Sequence, residues 1–488
     1  RYESPIPSDC DTAHRLPSDC HTAQTQQFGL RHVNLAKRPE GVMAVEDYAA
    51  LEGISAFVYF LLGGITLVLS KRTVNNNWNE KYAAIMFGWY LIFMGLGVLA
   101  SYLSEMVQLG GGGDINWISK SSQMTVYVAS SVRMSLPIAI ALIFPYPFLQ
   151  KKNSLQVAGL FTLIITILAS GVFTFSESPG WFIFISLYMF PVLIWGFVYV
   201  RFSFKEMFLG DPDARTISSS AGLLIFAFGG VRIVDWLFWL LIPDRWIVTR
   251  GLQFWSTVED FNMTSYFVAR GLELSIAITA SIAVFVFEGY RNFTHGNSLL
   301  STISHMFFMI GIVSFFVNLS VLDILDQCVY DVCDGLPDSW LIYNTFTNNL
   351  AIFLFKPLII MFVLLNYSLV DTKTDKNGTL ARTMVILMVV IVSSTIIEML
   401  QSIIPVGDII TSGILAIGIA AAIGWEENIM RQLLSFQESV NTYLKELDEI
   451  ILHDYEPRQV RLFTGIMVII LAYNLLMSIL HATLELGF

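Results

Sequence analysis

At 488 residues, 55% hydrophobic and only 14% charged, the chain is neither disordered nor an ordinary cytosolic enzyme, because soluble domains carry about 25% charged residues. A formal net charge of −11 opposes nucleic acid as a partner. A transmembrane helix needs roughly 20 apolar residues, and there are enough here for a dozen. The composition predicts an all-α polytopic membrane protein whose first partner is lipid.

Residues 1–53 are polar and differ in composition from the rest of the chain. They hold a near-repeat, Pro7-Ser-Asp-Cys10-Asp-Thr-Ala echoed by Pro17-Ser-Asp-Cys20-His-Thr-Ala. No basic stretch leads into an apolar core, so this segment reads as an extracytoplasmic tail and not as a signal peptide.

Twelve apolar runs come next, near 54–70, 83–105, 124–148, 155–175, 181–204 and 217–243, then 264–288, 300–325, 347–370, 383–404, 407–425 and 460–481. The runs are continuous and do not alternate with period two, so they are helices and not barrel strands. Lys and Arg set the orientation. With the loops numbered alternately, sixteen of the 28 basic residues fall in one set, and three (Lys120, Arg245 and Arg250) in the other. The first set, which includes Lys71, Arg72, Arg215 and Arg291, is expected to be cytoplasmic. Both termini are then outside, in a protein of the cell membrane.

All four cysteines fall on that outer side, where disulfides persist. Cys328 and Cys333 close a short loop, and a bridge between them is expected. No Cys-x-x-Cys offers zinc spacing, and neither a metal nor a cofactor is expected.

The long inner stretch 426–456 places Ile429, Leu433, Phe436, Val440, Leu444, Leu447 and Ile451 at three- and four-residue steps, the pattern of an amphipathic helix. Its acids, among them Glu426, Glu427, Glu438 and Glu446, disfavour anionic lipid. Packing on the inner mouth of the same protein is the expected role.

Six spans plus six invite a search for duplication. Arg72 and Arg291 follow spans one and seven. Arg133 and Lys356 sit in spans three and nine, with Pro137 and Pro357 just after. Pro179 and Pro405 precede spans five and eleven. If these matches reflect a repeat, residues 54–243 and 264–481 are two six-helix halves. They share one orientation and are related by a pseudo-two-fold axis along the membrane normal, with a site between them.

Seven ionisable residues lie well inside spans: Arg133, Arg232, Asp235, Arg270, Glu273, Lys356 and Glu398. A charge facing lipid costs roughly 2.5–3.5 kcal/mol on insertion scales, so these residues are expected to face the bundle interior. They occupy a band from the midplane to the outer third. Arg232 with Asp235, and Arg270 with Glu273, are three apart and share helix faces, which suits mutual neutralisation that ties neighbouring helices together. Arg133 and Lys356 have no carboxylate three or four residues away. Glu398 neutralises only one of them, and a small anion or a lipid headgroup suits the other. His305 reads as structural. One membrane histidine cannot hold a pair of haems.

Arg232-Ile-Val-Asp235-Trp236-Leu237-Phe238 resembles the third-helix stretch of microbial rhodopsins over seven residues. A retinal protein also needs a lysine four helices later. The tenth span has none in its apolar part, and Lys356 lies in the ninth, so no family is assigned.

No Walker motif, His-Glu-x-x-His or Gly-x-Ser-x-Gly is present, and an enzyme is not expected. The leading expectation is a secondary transporter or channel for an ion or small solute, with Arg133 and Lys356 suiting an anion. The alternative is a non-catalytic subunit or scaffold of a larger membrane complex, docking through partner membrane subunits at acidic outer loops such as Asp323, Asp326, Asp331, Asp334 and Asp338. A membrane enzyme acting on lipid-linked substrates ranks last.

Overall fold

In hydrocarbon every backbone N–H and C=O must be satisfied within the segment, so long apolar runs become helices. The structure, a computed structural model, has 92% helix and no strand among its described residues. These are 45–72, 78–109, 116–149, 189–209, 214–241, 263–296, 298–327, 355–367 and 382–388, with single positions between them. The expectations for the tail up to 44, the Cys328–Cys333 bridge, Glu398, spans eleven and twelve and the 426–456 helix fall outside them.

In chain order the described helices are α1 Val45–Arg72, α2 Trp78–Leu109, α3 Asn116–Ile143, α4 Phe190–Leu209 and α5 Ala214–Ile233. There follow α6 Trp236–Leu241, α7 Met263–His295, α8 Leu299–Ser320, α9 Leu322–Gln327 and α10 Lys356–Asn366. Among the described residues, five segments are long and apolar enough to cross a membrane: Ser55–Arg72, Asn79–Leu103, Met124–Ile143, Ala214–Ile233 and Leu299–Ser320. They are compatible with an integral membrane protein. Large apolar side chains also point outward at helical spacing, as with Met309, Val313 and Phe316 on α8, the expected dressing of a lipid-facing stripe.

Lipid tails are as apolar as leucine, so helices in a bilayer associate through close packing of small residues. The α1–α2 hairpin shows this. A Cβ added at Gly63 would lie 2.8 Å from the Gly88 carbonyl oxygen, and one at Gly95 would lie 2.9 Å from that of Ala56. α2 and α3 pack as a second antiparallel pair, tied where Ser122 donates to the Ala100 carbonyl. Further along, α5 runs antiparallel to both α4 and α7, while α4 and α7 run parallel, with Gly196 against Ala280. Their buried aromatic side chains join one core, with Trp195, Tyr199, Phe226 and Phe228 near its centre.

The sixth span is expected as one helix and is found as two. α5 ends at Ile233, Val234 and Asp235 form a turn, and α6 restarts at Trp236. Trp236, the first residue past the turn, is held by α8. Its indole N–H donates to the Phe308 carbonyl at 3.3 Å, and its ring stands against the Phe308 ring at 5.0 Å. A Cβ at Gly311 would lie 2.3 Å from that indole. Gly311→Ala is therefore expected to displace Trp236 and cost about 1–3 kcal/mol through overpacking, read as a lower unfolding temperature in detergent.

Candidate functional site

The described residues among those singled out from the sequence lie against α2 and α5. Lys356 opens α10 and is 4% exposed. Its ammonium stands over the rings of Phe228 at 5.2 Å and Tyr90 at 5.9 Å from their centroids. Phe228 in turn packs on Tyr90 at 5.2 Å and Trp195 at 5.0 Å. The lysine thus sits beside an aromatic group drawn from α2, α4 and α5, and the negative faces of the rings attract its charge. α10 descends antiparallel to α5, from Lys356 beside Phe228 to Tyr367, whose hydroxyl bonds Ser219.

Arg133 lies near the middle of the Met124–Ile143 span. Its guanidinium fills space left by a glycine: a Cβ at Gly97 would come within 3.2 Å of Nη1. The buried Nε has no hydrogen-bond partner, and no carboxylate among the described residues pairs with this arginine. Tyr90 and Gly97 are seven residues apart on α2, a separation of about 10 Å along the same helix face. Lys356 and Arg133 therefore approach one side of α2 roughly two turns apart.

Arg232 and Glu273 come from the two three-residue pairs noted in the sequence, and they meet across helices. Arg232 Nε donates to Glu273 Oε1 at 3.0 Å, linking α5 to α7 just below the break at Val234–Asp235. Glu273 is almost fully buried, as is Asp235. Arg270 is on α7, with its side chain outside the described residues.

A second polar group is one that sequence reasoning missed. At the opposite end of the α5–α7 pair, Arg215 makes a two-pronged bond to Glu288, through Nη1 to Oε1 and through Nη2 to Oε2 at 3.0 Å. Tyr199 donates to Oε1 at 3.1 Å, and Ser298 to Oε2 at 2.7 Å. Four donors fill the four acceptor positions of a carboxylate. Ser298 also accepts from Arg215 Nη2 at 3.1 Å and caps α8 by accepting from the Ser301 N–H at 3.1 Å. Glu206 accepts from Arg291 at 2.9 Å and lies 3.8 Å from Arg215. Two arginines and two glutamates thus balance at the shared end of α4, α5, α7 and α8. The sequence holds one usable signal for this group: carboxylates and arginines recur at matching ends of successive spans, where a topology count treats them only as loop charges.

Other polar residues are structural. His305 Nδ1 bonds within its own helix to the Ser301 carbonyl at 2.6 Å. Asn318 accepts from the Trp340 indole at 3.0 Å. Among the described residues no group of three or more His, Cys, Asp and Glu side chains could hold a metal ion. No family model, curated protein or solved structure matches the chain.

Proposed function

We propose that this protein is a secondary transporter or channel for a small ion or solute, with its charged site inside the membrane between two six-helix halves. The observation that carries the reading is the broken helix α5–α6, with Arg232 and Asp235 at the break and Glu273 of α7 bonded to Arg232. Discontinuous helices bearing charged groups are how transporters present a binding site inside an apolar bundle; here the break follows the Ala214–Ile233 segment, toward one end of the span, and an intramembrane ionisable group is costly unless it serves such a role. Arg133 and Lys356 support an anion as the solute. Both reach one face of α2, about 10 Å apart along the helix, wider than the roughly 6 Å at which two donors hold the same small anion, so sharing one requires the two side chains to move together. Asp235, Glu273, Arg270 and Glu398 complete the proposed charged band.

The reading includes twelve spans, a cytoplasmic location for the end carrying Arg72, Arg215 and Arg291, both termini outside, and a Cys328–Cys333 bridge. A membrane-impermeant thiol reagent applied outside cells is expected to reach cysteines introduced within 106–123 and 244–263 and to miss those within 71–82. The reverse pattern would invert the topology.

Function is tested by reconstituting the purified chain in liposomes and following halide, nitrate and alkali-cation flux. Arg133→Gln and Lys356→Gln are each expected to lower flux at least tenfold while the protein remains monodisperse. Flux that is absent for every solute tried, with partner chains copurifying from native membranes, would replace this reading by the alternative of a non-catalytic subunit. One feature favours that alternative: Phe293, near the end of α7, is 94% exposed, beyond what a side chain buried in its own bundle would show.

A further inference from the structure

We infer that Arg133 by itself, lodged in the notch at Gly97, binds one small monovalent oxyanion of the nitrate or bicarbonate kind, and that Lys356 is not a ligand in that site. This names the solute class of the transport reading and rests on that reading.

Arg133 stands apart from the other charged residues inside the described spans. Arg232 and Glu273 bond to each other, and Lys356 is held over two rings. Arg133 has no hydrogen bond or ion pair among the described residues, and its buried Nε is an unmet donor. A cation near mid-span is costly without a counter-charge, and a buried donor without an acceptor adds to that cost. One group that carries both negative charge and oxygen acceptors meets both needs.

The packing turns the guanidinium toward α2 and away from lipid. Ser122, Ala129 and Arg133 are seven and four residues apart, so they share a face of α3. Ser122 bonds α2 at the Ala100 carbonyl. Ala129 and Arg133 Nη1 border the Gly97 notch, 3.5 and 3.2 Å from a Cβ built there. Met124 and Val128 are exposed and mark the lipid-facing side, and Arg133 lies about 140° round the helix from Val128. It is also midway along the 20-residue Met124–Ile143 span, about 14 Å from either end at the helical rise. A phosphate headgroup at the bilayer surface does not reach that depth, so the acceptor is a free anion inside the bundle.

Two features set the ligand. A guanidinium presents parallel N–H donors in a planar fork, which fits two oxygens of a planar oxyanion at once. Charge fixes the valence. Lys356 is about 10 Å away along α2, and its ammonium already rests on Tyr90 and Phe228. A second negative charge would go uncompensated in an apolar medium, which disfavours sulfate and other dianions. Gly97 admits the guanidinium, because a side chain there would crowd Nη1.

The test uses the full chain purified in a non-ionic detergent, with sodium gluconate as background salt. Binding is read from the width of the chloride-35 NMR line, which bound chloride broadens. The parent is expected to broaden it, and nitrate to reverse the broadening at a concentration below that of the chloride present and at least tenfold below that needed with sulfate. Arg133→Gln is expected to reduce the broadening at least fivefold, and Lys356→Gln to leave it within twofold of the parent. Arg133→Lys keeps the charge and loses the fork, so it is expected to retain the broadening and lose the preference for nitrate over chloride. That variant carries the test if Arg133→Gln does not fold. No broadening by the parent, broadening that survives Arg133→Gln, a nitrate preference that survives Arg133→Lys, or equal loss with Lys356→Gln overturns the site. Displacement of chloride by short-chain phosphatidylglycerol and not by nitrate gives the arginine to a lipid headgroup and overturns it too. Flux in liposomes is scored separately. Arg133-dependent nitrate binding without flux of any solute keeps the site and overturns the transport reading, whereas nitrate flux that Arg133→Gln leaves unchanged does the reverse.

Discussion

Phe228→Ala is expected to destabilise the folded bundle by about 3–5 kcal/mol, the usual cost of emptying a buried phenylalanine site. The ring is buried and serves three neighbours at once: it packs on Tyr90 and Trp195 and supports the Lys356 ammonium. Removing it leaves a cavity and takes away one aromatic face beneath a desolvated charge, a contact worth about 2 kcal/mol when buried. Phe228→Leu separates these effects. Leucine keeps most of the volume and lacks the π face, so its expected cost is about 1–2 kcal/mol, chiefly the cation–π and ring–ring contacts. Unfolding of the three proteins in detergent, with tryptophan fluorescence following Trp195, measures both steps. A Phe228→Leu protein as stable as the parent would mean that the ring does not stabilise Lys356 and that its position has another cause.

Arg215→Ala is expected to cost about 3–5 kcal/mol, because it strands Glu288 as a buried charge. Glu288 would keep Tyr199 and Ser298 as donors and lose its only described cationic partner at bonding distance. The double change Arg215→Met with Glu288→Leu removes both charges and replaces them with apolar volume. It is expected to recover most of the loss, since apolar replacement of a buried ion pair is often neutral or stabilising. The sum of the single-variant losses should therefore exceed the loss in the double variant, and a thermodynamic cycle reads the difference directly. Additive losses would show that the two side chains contribute independently.

The helical character of α1, α2, α3 and α8 was legible because apolar content is a local property: a run of such residues needs no knowledge of its neighbours to become a helix in hydrocarbon. The burial of Lys356, Glu273 and Asp235 was legible for a related reason, since a charge in an apolar run has nowhere inexpensive to go except inward. The break at Val234–Asp235 was not. Neither Gly nor Pro marks it, and it depends on Trp236 finding the bare backbone of Gly311 on a helix more than seventy residues away.

The sequence alone determined that α1, α2, α3, α5 and α8 are long apolar helices. Tertiary structure decided which charges meet. A three-residue spacing puts Arg232 near Asp235 and Arg270 near Glu273 on their own helices, but the bond from Arg232 to Glu273 depends on how α5 and α7 are rotated toward each other. The same holds for Arg215 and Glu288, seventy-three residues apart. Helix rotation is set by small-residue contacts such as Gly229 against Ala277 and Gly196 against Ala280, and these involve both surfaces together. No single run of residues encodes the angle at which two surfaces fit, which is why the charge pairing appears only once the helices are packed.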